Sequence, residues 1–451
     1  MKRIVAIILS LMTVLCACSK ADSEPQDLSL VNEKPATQVY IDLTERKTNA
    51  PAGTVAFSED CVTVSGEGSY RVFGTLDDGT LVVDAAKDEK VELLFDGVTL
   101  EREDYAPLYI KKADSVTVKL LSGTTNKLSN GGAFASLDDN NVDAALFSKT
   151  DLIVAGDGKL SIVSPGGHGI TCKDALRIDG GELEINCSRH ALEANDRIEV
   201  NGGNLLLVAG EDGIHTENDE DSNLGIFTMN DGYIEIDAAD DAVHAVASLN
   251  IISGDMKIKK CFEGLEAAKI FISGGSVYID AEDDGINATV GTDLDCYNGE
   301  AVVTISGGRT TVVTRGDALD SNGDLLLSGG EVICHGPGNT VHGYGTLDFV
   351  NKAVVTGGRL IAFTSRGKAF SEESEQAAFN LNLDSMTARG TVVTVLDDNG
   401  DVLFSETAEA AFNCVIVSVP ELAVGNCYTV KIGERTIEVN QRNLITKAKE
   451  R

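Results

Sequence analysis

The chain has 451 residues and a formal net charge of −34, from 71 acidic and 37 basic residues. A chain this acidic repels nucleic acid and anionic lipid headgroups, so those partners are excluded, whereas cations or cation-bridged anions are favoured. Its 46 glycines and 7 prolines, without any tryptophan, suit short strands joined by tight turns.

The first 36 residues have the pattern of a targeting segment rather than of a folded domain. Two basic residues precede the apolar run Ile4–Leu15, which is too short to span a bilayer. The phrase that follows, Cys16-Ala17-Cys18, resembles the lipobox of bacterial lipoproteins, with Cys18 as the lipidated residue. We therefore expect a signal peptide at 1–17, a polar tether at 18–36, and attachment to the bacterial cell envelope, at the outer membrane or cell surface, by the lipid alone. An ordinary secretory signal with incidental cysteines is the alternative.

Strand-like runs begin after this tether. Residues 37–90 are irregular, and we assign them to an N-terminal cap with the early coils of a repeat that becomes regular further along the chain. Stacked repeats need such a cap, because an open last coil exposes unpaired strand edges.

A short phrase recurs within residues 91–375, with the form polar, Gly or Ala, aliphatic, polar. Its small residues are spaced by 22, 22, 29, 22, 21 and 33 positions. A repeated spacing of this length is typical of a solenoid, in which each unit stacks on the next. The small residues are Gly169, Ala191, Gly213, Ala242, Gly264, Gly285 and Ala318.

Turns that end in glycine recur with the same period and separate short alternating strands. Each repeat of about 22 residues carries three such strands and no helical periodicity, which predicts an all-β fold with one coil of a parallel β-helix per repeat. The turn glycines are Gly181, Gly203, Gly232, Gly254, Gly275, Gly308, Gly330 and Gly358.

Two polar columns flank the aliphatic residue of the phrase, which we expect to point inward while its polar neighbours point outward. The leading column contains His168, His190, Asp212, Asp241, Glu263, Asp284 and Asp317. The trailing column, three positions later, contains Thr171, Glu193, His215, His244, Glu266, Asn287 and Asp320. Extra residues follow the phrase at 217–223 and 288–298, and a third, glycine-rich insertion lies near 336–346. Insertions on one face of a solenoid often mark its binding face.

The columns predict a calcium site. Coils stack about 4.8 Å apart, and carboxylates at that spacing repel unless they take up protons or cations. Carboxylate and amide oxygens are ligands that calcium prefers. The predicted metal ligands are Asp212, Asp219, Asp221, Asp241, Asp284, Asp293, Asp295, Asp317 and Asp320, and the predicted ligand-binding residues are His215, His244, Glu266 and Asn287.

Two other interpretations of the columns stay open. A solvated acidic stripe would only limit aggregation, but it gives no reason for charge to recur on both sides of one buried aliphatic residue. His215 and His244, together with Asp212 and Asp241, would instead suit a transition metal such as zinc.

The pattern changes after Ser365. Residues 376–440 show longer strands and an Asp-Asn-Gly turn, which predict a small C-terminal antiparallel β module. Cys414 and Cys427 flank an expected hairpin, and a disulfide between them is possible. Residues 441–451 form a basic tail that we expect to be frayed.

Several segments together resemble a carbohydrate-binding, right-handed parallel β-helix family of secreted or cell-surface bacterial proteins, formerly a domain of unknown function. The segments are residues 91–132, Ala145 to Leu152, the GEDGIHTENDEDSN phrase and the DDGINA phrase. The resemblance spans most of 55–440 and implies a pectate-lyase-like fold, bound calcium, and binding of acidic plant polysaccharide such as polygalacturonate. His190 and Glu263 stand where the family pattern has Asp, so calcium is not expected at every coil.

Three functions are compatible with these features. The first is a non-enzymatic binding protein for uronate-rich glycans, with calcium bridging protein and ligand carboxylates. The second is a calcium-dependent polysaccharide lyase, which needs a strong base and a cationic group near the metal. Arg189, Arg315 and Lys173 lie near the columns but are isolated, which favours the first function. The third is a structural adhesin or scaffold.

Overall fold

The computed structural model describes residues 38–136, 140–218, 220–290, 300–338, 345–365 and 367–450. The signal peptide, the tether with Cys18, and the predicted ligands Asp219, Asp293 and Asp295 lie outside these residues. The described part contains strands and no helix, so the prediction of an all-β fold is confirmed. Accordingly, no helix in that part is long and apolar enough to cross a bilayer.

The N-terminal strands include two antiparallel pairs, β1 with β2 and β3 with β4, and β1 and β4 also pair in parallel with β5 and β6. The strands are β1 Val39–Asp42, β2 Lys47–Thr48, β3 Val55–Ser58, β4 Cys61–Val64, β5 Gly68–Leu76, β6 Thr80–Asp84, β7 Lys90–Arg102, β8 Leu108–Lys112, β9 Ser115–Leu120, β10 Thr125–Asn130 and β11 Ala144–Ser148. Antiparallel pairing occupies edges at this end that parallel coils alone leave open.

The regular coils follow. Their strands are β12 Asp151–Gly156, β13 Lys159–Ser164, β14 His168–Cys172, β15 Ala175–Ile178, β16 Glu182–Cys187, β17 Leu192–Ala194, β18 Arg197–Val200, β19 Asn204–Ala209, β20 Ile214–Thr216, β21 Ile226–Met229, β22 Tyr233–Ala238, β23 Val243–Ile251, β24 Asp255–Cys261, β25 Leu265–Ile272, β26 Ser276–Ala281, β27 Ile286–Ala288, β28 Val302–Thr314, β29 Leu319–Ser321 and β30 Asp324–His335. Each of the shorter strands pairs in parallel with the strand three places later in the chain, as β14 does with β17 and β17 with β20. The chain therefore builds three parallel stacks, one from each strand of the coil.

The stack that contains β14, β17 and β20, which we call the ladder stack, holds the recurring phrase. Its aliphatic residues lie in register from coil to coil, and each is at most 1% exposed. These residues are Ile170, Leu192, Ile214, Val243, Leu265, Ile286 and Leu319. They point inward, as the alternation predicts, and form part of one continuous core.

The turn glycines are needed because coils approach closely at this corner. Gly203 has a φ of +98°, a conformation that L side chains rarely adopt. A Cβ atom placed there would lie 2.8 Å from the carbonyl oxygen of Gly181, one coil earlier. The recurrence of glycine thus has a steric cause that is independent of function.

In the C-terminal region the parallel stacking of coils ends. Strand β36 pairs antiparallel with both β32 and β33, and β39 joins the other edge of β33. Two hairpins, β34 with β35 and β37 with β38, form a separate four-stranded antiparallel sheet. The strands are β31 Lys352–Val355, β32 Arg359–Thr364, β33 Ala378–Thr387, β34 Val392–Leu396, β35 Val402–Thr407, β36 Phe412–Ser418, β37 Cys427–Ile432, β38 Arg435–Asn440 and β39 Ile445–Lys449.

Two expectations for this region are wrong. Cys414 and Cys427 are free thiols, because β36 and β37 belong to different sheets and do not form a hairpin. The tail at 441–451 is not frayed throughout, because β39 lies in register with β33 along five residue pairs. The strand has no strongly apolar buried position, since Thr446 is buried while its two lysines are exposed, and it therefore leaves little sign in the sequence.

Candidate functional site

The ladder stack places the trailing column in register. His215 lies opposite His244, Glu266 opposite Asn287, and Asn287 opposite Asp320 on the next coil. The same column continues toward the N-terminus as Phe147. Period and alternation therefore bring together the trailing residues that the sequence singles out.

The leading column has a structural function in the coils. In the four cases given next, the side chain of the leading column accepts a hydrogen bond from the backbone N–H of the equivalent residue one coil later. The N–H groups donate from His190 to His168 Nδ1 (3.2 Å), from Asp212 to His190 Nδ1 (3.1 Å), from Asp241 to Asp212 Oδ1 (3.0 Å) and from Asp317 to Asp284 Oδ1 (2.6 Å). Both imidazole Nδ1 and a carboxylate oxygen reach this N–H, which explains why His replaces Asp at His190.

These bonds make the expected outward orientation of the leading column wrong. Asp212 is 5% exposed, Asp241 8% and Asp317 5%, so the carboxylates are buried rather than solvated. The residues precede the strand proper, and their side chains turn along the stack to the next coil. Burial of a carboxylate requires hydrogen bonds or a counter-charge, and the two halves of the ladder stack differ in what they provide.

In the first half, four imidazoles from both columns stack on one another. Ring centroids are 5.0 Å apart between His168 and His190, 4.3 Å between His190 and His215, and 5.1 Å between His215 and His244. His215 Nδ1 lies 2.7 Å from Asp212 Oδ2. The corresponding distance between His244 Nδ1 and a carboxylate oxygen of Asp241 is 3.4 Å. We call these four residues with their carboxylate partners the histidine half.

Protonation in the histidine half follows from burial and from these partners. Burial lowers the pKa of His168 to about 3, and burial together with the charge of His215 lowers the pKa of His190. For His244 burial acts to lower the pKa, but the hydrogen bond and the charge of Asp241 outweigh burial, so the pKa is raised overall. For Asp212 burial favours the neutral acid, yet His215 and the neighbouring imidazoles lower its pKa overall.

The second half, which we call the carboxylate half, contains Asp284, Asp317 and Asp320. One oxygen from each lies within 4.8 Å of the others. Burial and the charges of the other two raise the pKa of Asp284 to about 9. Burial and the charge of Asp320 raise the pKa of Asp317 to about 7. Without a cation, these three groups cannot all ionise at neutral pH.

Asn287 is the neighbour of the carboxylate half in the trailing column. It is 7% exposed and lies in register beside Asp320, and its Oδ1 is buried without a hydrogen-bond partner. Its Nδ2 donates to Glu263 Oε2 at 2.9 Å. The three clustered carboxylates offer oxygen donors, Asn287 offers an amide oxygen on the neighbouring strand, and oxygen donors of these kinds fit calcium.

Glu263 and Glu266 lie between the two halves, and the pKa of each is raised. Burial and the charge of Asp241 raise the pKa of Glu263 to about 7. Burial and the charges of Glu263 and Asp241 raise the pKa of Glu266 to about 9. Glu266 therefore belongs to a crowded acidic site next to His244.

A groove follows the trailing column along the stack. A cleft of 480 Å³ contains Glu193 and His215, and one of 640 Å³ contains His244, Glu266 and Thr289. The two clefts share the residues at 217 and 218, which begin the acidic insertion. Residues 217, 218, 220, 222 and 223 of the insertion thus line the groove beside the polar columns, and the groove extends over five coils.

Not every predicted residue belongs to this arrangement. Asp221 is exposed, and its Oδ1 accepts hydrogen bonds from the backbone and side-chain nitrogens of Asn223. It lines neither cleft. Sequence reasoning also missed Asp143 and Glu211, which contact His168 and His190. Glu211 adjoins the leading column, but Asp143 comes from an irregular segment without any periodic signal.

The basic residues near the columns are engaged in ion pairs. Arg189 lies 3.0 Å from Asp143 and 3.3 Å from Glu211, between charged atoms. Lys173 Nζ lies 3.2 Å from Glu193 Oε1. Arg315 lies 3.8 Å from Asp280 and donates to the Ala281 carbonyl. These contacts compensate acidic neighbours and leave no cluster of basic groups beside the described carboxylates.

Comparison with known proteins gives a family match, one curated relative and one solved structure. A family model described as carbohydrate-binding domain-containing protein matches residues 58–295, more than half of the chain. A curated carbohydrate-binding domain-containing protein from Acetivibrio thermocellus is 31% identical over 206 residues, covering 45% of this chain and 72% of that protein. A solved structure of the polysaccharide lyase-like protein from C. thermocellum, a gadolinium derivative, is 31% identical with a TM-score of 0.46 and covers 49% of this chain and 90% of that chain. The chain belongs to the family of carbohydrate-binding domain-containing proteins.

Proposed function

We propose that this protein binds uronate-rich, polygalacturonate-like polysaccharide through calcium and does not cleave it. The observation that carries the proposal is the carboxylate half, in which Asp284, Asp317 and Asp320 crowd together, with Asn287 in register beside Asp320. These four residues would hold the calcium, which when bound supplies positive charge for the carboxylates of a ligand. The fold that we propose for this function is a right-handed parallel β-helix.

Charge supports a bridging cation. The chain carries a formal net charge of −34, so a polyanion is repelled at long range. The raised pKa values of Asp284 and Asp317 arise because burial and neighbouring charge disfavour their ionised forms. A divalent cation favours those ionised forms and also gives an anionic chain a point of attachment.

The groove supports an extended ligand. It follows the coil axis from Glu193 to Thr289, and Asp320 lies on the coil after that of Thr289. Coils about 4.8 Å apart repeat polar groups along that axis. A polymer that contacts several coils gains avidity even when each contact is weak.

The pairing of basic residues supports binding without turnover. Elimination of a uronate needs a base and a group that stabilises the developing enolate. Arg189, Lys173 and Arg315 each bind an acidic neighbour already. A lyase remains the competing function, and release of unsaturated products distinguishes it from a binder.

The binding test uses immobilised polygalacturonate, with neutral glucan as the control matrix. We expect retention of the full chain on polygalacturonate in calcium, loss of retention in chelator, and no retention on glucan. Ultraviolet absorbance of the eluate reports unsaturated uronates. Equal retention in calcium and chelator contradicts the bridging role, and absorbing products contradict the absence of turnover.

A charge-neutral variant locates the site. In the Asp317→Asn/Asp320→Asn double variant, the amide oxygen at 317 can still accept the Gly345 N–H bond that Asp317 accepts now. We expect it to bind polygalacturonate at least about 10-fold more weakly, because two metal-ligand charges are gone. Asp255→Asn, which removes an exposed carboxylate on another face, is the matched control. Equal binding by both variants would place the site elsewhere.

We also propose that the protein is a lipoprotein of the bacterial cell envelope, anchored through Cys18. The short apolar run and the Leu15–Cys18 phrase motivate this. Membrane fractionation of a Cys18→Ser variant tests it, since retention equal to that of the wild type contradicts the anchor.

A further inference from the structure

The histidine half contains a point at which two imidazoles and one carboxylate converge. Asp212 Oδ2 lies 2.7 Å from His215 Nδ1 and 3.3 Å from His190 Nδ1. The two rings are stacked, with centroids 4.3 Å apart and planes 13° from parallel. One donor atom from each residue lies within 4.8 Å of the others.

We propose that His190, Asp212 and His215 bind a divalent transition-metal ion such as Zn²⁺, at a site separate from the carboxylate half. The site does not depend on the proposed function. It differs from the calcium site in donor chemistry, because two of its three donors are imidazole nitrogens. Imidazole suits zinc, copper and nickel, whereas calcium is bound through oxygen.

The distances suit a small ion. Zinc bonds of about 2.0 to 2.2 Å in tetrahedral geometry require donor atoms roughly 3.3 to 3.5 Å apart. The His190–Asp212 distance of 3.3 Å meets this requirement, and the His215–Asp212 distance of 2.7 Å has to open slightly. Three protein donors leave a fourth position for water or a ligand group, as in open zinc sites.

The far nitrogen of each ring provides an independent argument. His190 Nε2 lies 3.4 Å from Glu211 Oε2, and His215 Nε2 lies 3.4 Å from Glu217 Oε2. Metal-binding histidines almost always donate their other N–H to a carboxylate or carbonyl, which fixes the tautomer and the ring orientation. Both rings therefore have a carboxylate that can hold the Nε2 proton while Nδ1 faces Asp212.

The hydrogen bond from the Asp212 N–H to His190 Nδ1 is consistent with that tautomer, because it requires a lone pair on Nδ1. Metal binding competes with this one bond and displaces the proton between His215 and Asp212. The side chains of His190, Asp212 and His215 are 16%, 7% and 17% exposed, so the site is sheltered but open to small ions.

The test titrates chelator-treated full-length protein with Zn²⁺ by calorimetry and with Co²⁺ by visible absorption. We expect saturable binding in the wild type and a tetrahedral cobalt spectrum. His215→Gln should weaken binding by at least about 100-fold and abolish that spectrum, since removal of even a supporting group costs 10- to 100-fold. His244→Gln, one coil further along the same column, is the matched control and should stay within about 3-fold of the wild type.

A second variant guards against misfolding. His190→Asn keeps an oxygen acceptor for the Asp212 N–H, as Asp212 itself provides for the next coil, but removes the imidazole without adding a carboxylate. Weak zinc binding in a variant that unfolds like the wild type supports the site. Equal loss in His215→Gln and His244→Gln, or zinc binding unchanged in His190→Asn, overturns it. The Asp317→Asn/Asp320→Asn variant should bind zinc normally, which separates this result from failure of the calcium proposal.

Discussion

The histidine half and the carboxylate half use one backbone design with opposite electrostatics. In both, a side chain of the leading column accepts a backbone N–H from the next coil, at 3.0 Å for Asp212 and 2.6 Å for Asp284. In the histidine half, imidazoles lower the pKa of Asp212 despite its burial. In the carboxylate half, burial and neighbouring acids raise the pKa of Asp284 to about 9.

This difference separates what the fold requires from what a ligand requires. The leading column needs an acceptor, and either Asp or His satisfies that need. Compensation of the buried charge is a second requirement, and the histidine half meets it with protein groups. The carboxylate half does not, so its acids take up protons or a cation. A cation is therefore expected to stabilise the second half more than the first.

The largest expected effect comes from breaking the histidine half with Asp212→Ala. This change leaves the Asp241 N–H and the His215 Nδ1 without their partner in a buried site. In chelator the free energy of unfolding should fall by about 3 kcal/mol, because removal of one member of a buried pair leaves its partners unsatisfied. Denaturant unfolding followed by circular dichroism measures this. Asp212→Asn, which keeps an acceptor for Asp241, is the control and should lose less.

Chelation sharpens the comparison from the other half. Removal of calcium should lower the melting temperature, since a ligand at about 100 times its Kd stabilises the native state by roughly 2.7 kcal/mol. The Asp317→Asn/Asp320→Asn variant should melt at the same temperature with and without calcium. Differential scanning calorimetry with elemental analysis measures both. An unchanged wild-type melt in metal-free protein contradicts the cation requirement.

In chelator, Asp284→Asn should change the free energy of unfolding in the opposite direction to Asp212→Ala. An amide keeps an acceptor for the Asp317 N–H but removes an acid whose ionisation the folded state disfavours. In chelator the variant should therefore be more stable than the wild type by about 1 kcal/mol. In calcium it should be less stable, because a metal ligand is lost. Stability equal to that of the wild type in both conditions would show that Asp284 acts only as a hydrogen-bond acceptor.

The smallest and most gradual effect is expected from pH, through Glu263 and Glu266. Their folded-state pKa values are raised to about 7 and about 9, so the native state binds protons that the unfolded chain has released. Their stabilising contribution is present below the unfolded pKa and is lost as pH rises through the folded values. In chelator the melting temperature should fall between about pH 5 and pH 9. Glu266→Gln should flatten this slope, and an unaltered slope contradicts the assignment.

The stacking of coils is predictable from the sequence because it depends on local repetition. Ile214 and Val243 occupy the same position in successive repeats. Because that position is buried in each coil, only one pairing register buries both residues. Burial of Asp212 is not predictable in this way. Strand alternation places it in solvent, but it precedes the strand and bonds to a coil 29 residues away.

Partners from irregular segments are also beyond the sequence pattern. Asp143 reaches His168 and Arg189 from a loop that shares no period with the coils. The tail strand β39 pairs with β33, which lies more than 60 residues earlier. Contacts of this kind depend on three-dimensional closure, whereas the recurring phrase reports only which residues stack.

The antiparallel pairing of β36 with β32 has an evolutionary consequence. A new coil added after β32 would have to displace β36, which also pairs with β33. A coil duplicated internally, for example between β19 and β22, keeps parallel neighbours on both sides. Lineages can therefore lengthen or shorten the groove, and add or lose ion sites, by gene duplication or deletion of whole coils while both termini of the domain stay unchanged.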